Sequence, residues 1–445
     1  MQQPSGAPRR LIGLVDATAL VVGSMIGSGI FIVSAESARL VGTPTRLLAV
    51  WLVAGLLTLL AANACAELAT MYPLAGGPYV FFREAYGPLL GFLYGWTTVL
   101  VIQTGTIAAV AVAFSKFLGL LVPSVAGGVM KAVAALVVLV LTGTNALGLR
   151  VGTRVQNVLT VLKVAALLAL TAGGIVFGRA PAEAAAAPAS SESLAPSTLV
   201  LAFTLALVGP AFSQSAWTNV TFPGAEVAEP GRTFPRALLL GCALVAGLYL
   251  LANVGYLRTL GLSGIARAPQ DRIGTAAAAA LVPGGGRWMA AAILVSTFGC
   301  ANGLVLSGAR VVYAFAADGH LPAAAARLNR AGVPGIALAL QAAWALVLVF
   351  SGTYTDLLRY VVAVEFVVLF LLVLAVPALR RKLPEGARPY RTWGHPLTSA
   401  AFLLLSGAIV VLLAVASPRT TLPGFGLVLV GIPVFFARRR REGSG

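Results

Sequence analysis

The stretch Gly23-Ser24-Met25-Ile26-Gly27-Ser28-Gly29-Ile30-Phe31 sits in the middle of an otherwise apolar run from Leu11 to about Ala38. Such a run is long enough to span a bilayer. Its three glycines and two serines weaken a helix at the depth where unpaired backbone is most expensive. A break there is tolerated where it lines protein-enclosed or wet space. The stretch therefore predicts a discontinuous helix: a first half from Ile12 to about Gly23, an unwound turn, and a second half starting near Gly29. The end of the first half would offer carbonyls to a cation, and the start of the second would offer N–H groups and a positive dipole end to an anion. An α-amino acid carries both charges one carbon apart. Close packing is the competing account, because small residues also let membrane helices approach one another.

The rest of the chain has the same solvent. With 59% hydrophobic and 10% charged residues in 445, it cannot cover a globular core with a charged, water-facing surface. The composition predicts an all-α polytopic membrane protein with twelve transmembrane helices, at roughly 12–38, 47–71, 88–118, 124–143, 155–177, 197–219, 236–257, 288–316, 334–351, 355–378, 396–416 and 421–437. The first run is no cleaved signal, since its centre is interrupted and more spans follow. If the amino terminus is cytoplasmic, 19 of the 31 basic residues fall on the inside and about 10 outside. That bias predicts both termini in the cytoplasm of a cell whose inner or plasma membrane holds the chain. The net charge of +17 then reflects topology, and no nucleic-acid partner is implied. Cys65, Cys242 and Cys300 all lie in apolar runs, which suggests neither a disulfide framework nor a thiolate metal site. With no metal signature and no nucleophile–base constellation, neither a cofactor nor an enzymatic activity is expected.

A second interruption follows five spans after the first. In Val208 to Val220, VGPAFSQSAWTNV, Gly209-Pro210 precedes a polar patch inside an apolar run, and proline favours a kink or break. Broken helices one and six predict a five-plus-five inverted repeat: residues 1–195 with the following outer linker, residues 196–380, and a peripheral pair with a basic tail at 381–445. A plain proline kink without repeat symmetry is the alternative. The linker is the alanine-, proline- and serine-rich segment 179–197.

Few ionisable groups lie inside the spans. Lys163 stands in span five with no acid at i±3 or i±4, so it needs carbonyls, hydroxyls or water in the bundle interior, unless it snorkels to the membrane surface. Glu67 lies near the end of span two, where structural pairing stands ahead of a transport role, and Glu365 lies deeper in span ten. These two acids are the candidate proton sites. In the connector Ala225 to Ala237, Glu226 and Glu229 face Arg232 and Arg236 as pairing partners, and the loop from Gly261 to Gly286 is placed to fold over the outer mouth.

Taken together, the glycine stretch, Gly76-Gly77-Pro78-Tyr79, the Glu226–Pro235 connector, Ala301-Asn302-Gly303 with Arg310, Asp318-Gly319 and Pro322, and Arg388-Pro389-Tyr390-Arg391 resemble the amino acid/polyamine/organocation permeases. The likeness covers nearly the whole chain and is strongest to prokaryotic relatives of the L-type amino acid exchangers. It implies alternating access by a five-plus-five fold with two peripheral helices. It implies a substrate site of Ser24, Ile26, Gly27, Ser28, Gly29, Phe212, Gln214 and Ser215, with Phe212 as the gate. It also implies that Lys163 takes the place of a sodium ion, with Ser296 as partner. Where those exchangers have small glycines after the gate aromatic, this chain has Gln214, Ser215 and Ala216, a change that bears on substrate identity. The cysteine that joins a heavy subunit is absent between spans three and four, so no covalent heavy subunit is expected. The implied partners are an amino acid substrate and membrane lipids, with a homodimer compatible. The expected function is sodium-independent exchange of small or neutral amino acids. The alternatives are a proton-coupled symporter, a cationic amino acid or polyamine permease, and a non-transporting amino acid sensor.

Overall fold

The glycine-rich stretch interrupts its helix. In the computed structural model, which describes residues 10–181, 196–351, 354–416 and 418–442, α1 (Leu14–Met25) ends at Ile26, whose backbone turns extended at φ −76° and ψ 93°. The chain resumes as a 3-10 turn at Gly29–Phe31 and then as α2 (Ser34–Val41). The first half thus runs two residues past Gly23, and regular α-helix restarts five residues after Gly29.

There follow α3 (Pro44–Met71), the short α4 (Pro78–Tyr86), α5 (Pro88–Thr97), α6 (Gln103–Leu121), α7 (Gly128–Ala146), α8 (Leu149–Phe177) and α9 (Pro196–Ser213). The second half of the chain adds α10 (Pro230–Ala266), α11 (Ile273–Leu281), α12 (Gly285–Ala317), α13 (Gly335–Ser351), α14 (Tyr354–Lys382), α15 (Leu397–Ala416) and α16 (Pro418–Glu442). Among the described residues, nine helices are long and apolar enough to cross a membrane, and two shorter apolar helices, Gly335–Ser351 and Val428–Arg438, join them. The protein is an all-α, multi-span membrane bundle. Most of the expected outer linker, 182–195, lies outside the described residues.

Helix α1 is enclosed by α8, α10 and α12, while α3 packs along α10 and α6 along α12. The burial follows this arrangement. Leu20, Val21 and Val22 of α1 are buried, whereas Leu404, Val411 and Val415 of α15 are exposed. In a bilayer an exposed leucine or valine faces lipid at no cost, so α15 sits at the periphery and the broken helix at the centre.

Two sequence expectations are corrected here. Pro210 does not break its helix: α9 runs through it to Ser213, and the chain leaves helical geometry at Ala216, φ 67°, before a 3-10 turn at Trp217–Thr221. Proline costs one intrahelical bond, and the carbonyl that bond would have used, Ala206 O, accepts instead from Ser37 Oγ of α2 at 2.9 Å. Glu226 pairs with neither Arg232 nor Arg236. Its carboxylate takes Nε and Nη2 of Arg310 on α12 at 3.1 and 3.3 Å, and both side chains are almost fully buried. Glu229 alone meets Arg232, at 3.8 Å on an exposed surface.

Candidate functional site: a capped break and two cavities

A helix that stops in the middle of a bundle leaves carbonyls without intrahelical partners. Side chains from three helices meet those of α1. Lys163, 1% exposed, donates from Nζ to Gly23 O, to Ile26 O at 2.8 Å and to Ser296 O at 3.3 Å. Ser296 Oγ reaches Ile26 O at 3.3 Å and Gly27 O at 3.2 Å, Cys300 Sγ reaches Ser24 O at 3.0 Å, and Tyr249 OH reaches Met25 O at 3.0 Å. Helical spacing puts these groups in place. Gln156, Thr160 and Lys163 stand at i, i+4 and i+7 on the α1-facing side of α8, and Ser296, Cys300 and Gly303 do the same on α12.

The glycines of the stretch serve this packing. A Cβ on Gly23 would collide with Gln156 Nε2 and Thr160 Oγ1, one on Gly29 with Ser213 Oγ, and one on Gly27 would sit 3.0 Å from Cys300 Sγ. Each therefore admits a different neighbouring helix: α8, α9 and α12. Since Ser213 is the last residue of α9, the two interrupted helices touch at their breaks.

Beside the second break lie two small cavities of about 30 Å³ each. Ala54, Leu57, Phe212, Gln214, Phe366 and Phe402 line the first. Thr98, Gln103, Thr106, Thr218, Asn219 and Leu304 line the second. Ser215 and Glu365 belong to both walls. A π-helical turn at Thr98–Ile102, between α5 and α6, swings Thr98 and Ile102 onto the second wall.

The sequence-predicted residues therefore divide into three groups. Lys163 and Ser296 come together on the α1 carbonyls. Phe212, Gln214 and Ser215 line a cavity. Ser24, Ile26, Gly27, Ser28 and Gly29 are buried and line neither cavity, and Ser24 Oγ has no partner among the described residues. The two candidate proton sites lie apart. Glu365 faces the cavities, while Glu67 receives Arg380 through Nε and Nη2 at 2.9 and 2.7 Å and Thr392 N at 2.7 Å, with Arg388 Nε 3.4 Å away. This clasp ties α3 to the segment after α14, and Tyr390 OH and Trp393 N strengthen it by donating to Asn63 Oδ1 at 2.6 and 3.1 Å.

Sequence reasoning missed Tyr249 and Cys300 as caps, and it missed the π turn. The residues themselves carried no signal: a tyrosine and a cysteine in apolar runs read as packing until the helix opposite is known. Beyond the bundle, α4 is anchored by Tyr79, whose OH donates to Asp318 Oδ2 at 2.5 Å, and by Arg83, which pairs with the same carboxylate. Burial, reinforced by Asp318, pushes the Tyr79 phenol far above its ordinary range. At the opposite end, Arg39 of α2 binds Asp271 at 2.7 Å and Ala266 O at 2.8 Å, and α11 places Gly274 against Phe31. The loop between α10 and α12 thus lies on the second half of the broken helix.

The sequence profile of a family described as amino acid permease matches residues 12–436. The chain is 28% identical to the serine/threonine exchanger SteT of Bacillus subtilis (strain 168) over 442 residues, covering 98% of both chains. It is 30% identical to large neutral amino acids transporter small subunit 2 of Homo sapiens, over 97% of this chain and 80% of that one. It is also 30% identical to Asc-type amino acid transporter 1 of Mus musculus, over 97% and 81%.

Proposed function

The chain belongs to the amino acid permease family, and we propose that it exchanges small or neutral amino acids across a membrane by alternating access, without sodium. Membership of a permease family makes it an amino acid transport protein of the membrane rather than an enzyme. The exchange mode and the substrate range rest on further support. One relative is named an exchanger of serine and threonine, and another a transporter of large neutral amino acids.

The observation that carries sodium independence is the Lys163 ammonium among the carbonyls of Gly23, Ile26 and Ser296. Those oxygens are the kind of ligands a sodium ion would take. A permanently attached cation fills the place, and a second would be repelled in a low dielectric. Lys163 thereby ties the break of α1 to α12, so the broken segment keeps its shape without an imported ion. The contact of Gly29 with Ser213 supports a transport centre where the two interrupted helices cross. Here α1 with α2 is read as span one of twelve and α9 with the 217–221 turn as span six, in a five-plus-five inverted repeat with α15 and α16 peripheral and both termini cytoplasmic. Backbone at Ile26–Gly29 then meets the substrate carboxylate once the cavity opens toward it, and Phe212 closes over it.

Reconstituting the purified protein in liposomes and measuring uptake of a labelled amino acid panel tests this reading. Saturable, substrate-selective uptake in sodium-free buffer is the expected result. Absence of uptake and exchange for every amino acid, from protein that stays folded, would sink it.

A further inference from the structure

Glu365 is the one acid shared by the walls of the two cavities. It is only partly buried, and the polar side chain interacting with it is Ser215. Among the described residues, no lysine, arginine or histidine pairs with it. The buried cations Lys163 and Arg310 are committed elsewhere, Lys163 to the α1 carbonyls and Arg310 to Glu226. An ionised carboxylate in a membrane interior is costly until a proton or a donor from a ligand meets it.

The wall facing it favours the ligand. Gln103, Thr106, Thr218 and Asn219 line the second cavity, and Asn219, 1% exposed, has an Nδ2 with no partner among the described residues. In the adjoining cavity Gln214 Oε1 is likewise without one. A proton relay has no need of an unpaired amide. A substrate side chain that carries both a donor and an acceptor uses the unpaired amide atoms on the two walls.

Building on the transport reading above, we propose that Glu365 is a specificity-determining residue that accepts a hydrogen bond from the substrate's side chain, so that the preferred substrates are neutral amino acids ending in a hydroxyl or amide donor. In that reading the main-chain charges of the substrate are taken by the two helix breaks, which leaves Glu365 for the distal group. Aliphatic side chains of the same size leave Asn219 Nδ2 unpaired and the Glu365 carboxylate with Ser215 alone. A site built to hydrogen-bond its ligand discriminates strongly against the isostere that lacks the group.

The test compares asparagine with leucine, which differ little in shape, in proteoliposomes of wild type, Glu365→Gln and Glu365→Leu. The expected result is a kcat/KM ratio, asparagine over leucine, of about tenfold or more in wild type. It should collapse toward unity in Glu365→Leu and fall between the two in Glu365→Gln. Equal losses for both substrates, or no preference in wild type, overturn the proposal. So does a wild type that needs a proton gradient and loses that need in Glu365→Gln with its side-chain preference intact, because Glu365 would then carry a proton. Thermal stabilisation of the detergent-purified proteins by asparagine and by leucine gives a readout independent of flux. Should wild type bind asparagine selectively through Glu365 yet transport nothing, the transport reading fails and this one stands. Glu365→Gln, close to isosteric, covers the case in which Glu365→Leu does not fold.

Discussion

Replacing Lys163 with methionine removes one charge and three donors while keeping most of the side chain's volume. Its Nζ reaches Gly23 O, Ile26 O and Ser296 O, but the three bonds are not equivalent. Ile26 O keeps Ser296 Oγ at 3.3 Å, and Ser296 O lies within the continuous helix α12. Gly23 O, in the last turn of α1, is left alone. A buried carbonyl without a partner costs about 1–3 kcal/mol, and removing a buried charge returns part of its desolvation penalty. The net change in stability should therefore stay within about 2 kcal/mol, small enough for the variant to fold. Transport should suffer more, since the link from α8 to the α1 break is gone and Ser296 Oγ and Cys300 Sγ are left to hold that break to α12. If the closed arrangement loses about 1.4–2.8 kcal/mol relative to the open ones, exchange slows about 10- to 100-fold. Initial rates of counterflow alongside thermal melts of Lys163→Met and wild type would measure both. Transport within about twofold of wild type would refute the reasoning, and so would a variant too unstable to purify.

Three further outcomes follow from the packing. Gly29→Ala should lower the melting temperature and transport together, because its Cβ collides with Ser213 Oγ; overpacking of this kind costs about 1–3 kcal/mol, and adding Ser213→Gly should restore part of both. Glu226→Gln leaves the Arg310 guanidinium buried without its counter-charge and should cost about 3–5 kcal/mol, read by thermal or chemical denaturation, whereas Glu229→Gln on the exposed surface should change stability by no more than about 0.5 kcal/mol. Phe212→Leu, on the wall shared with Phe366 and Phe402, should lower turnover more than apparent affinity in uptake kinetics.

The parts of this architecture legible in the sequence were those written in local pattern. A run of membrane length with a glycine and serine centre announces its own interruption, and Lys163 in an apolar helix announces that something must meet its charge. What escaped depends on neighbours distant in the chain. Arg310 lies 84 residues from Glu226, so local arginines looked like the natural partners until α12 was placed. The second break falls at Gln214–Ala216 rather than at Pro210, where the carbonyl that proline leaves unserved, Ala206 O, is met by Ser37 Oγ from a distant part of the chain. The glycines of the first break looked like helix breakers. Their geometry shows close approaches to α8, α9 and α12, so the helix break and the close packing occur together. The cavity around Glu365 could not be read at all, because five separate helices, a π turn and the segment 215–222 define it.

Trans-stimulation in sodium-free buffer tests the central claim most directly. Proteoliposomes loaded with unlabelled serine and matched empty vesicles would receive labelled serine outside, with no sodium and no proton gradient. If the protein is an exchanger whose internal ammonium stands where sodium would bind, loaded vesicles should take up label at about tenfold or more the rate of empty ones, and adding sodium should change nothing. Equal rates in loaded and empty vesicles, or uptake that appears only with sodium, would contradict it.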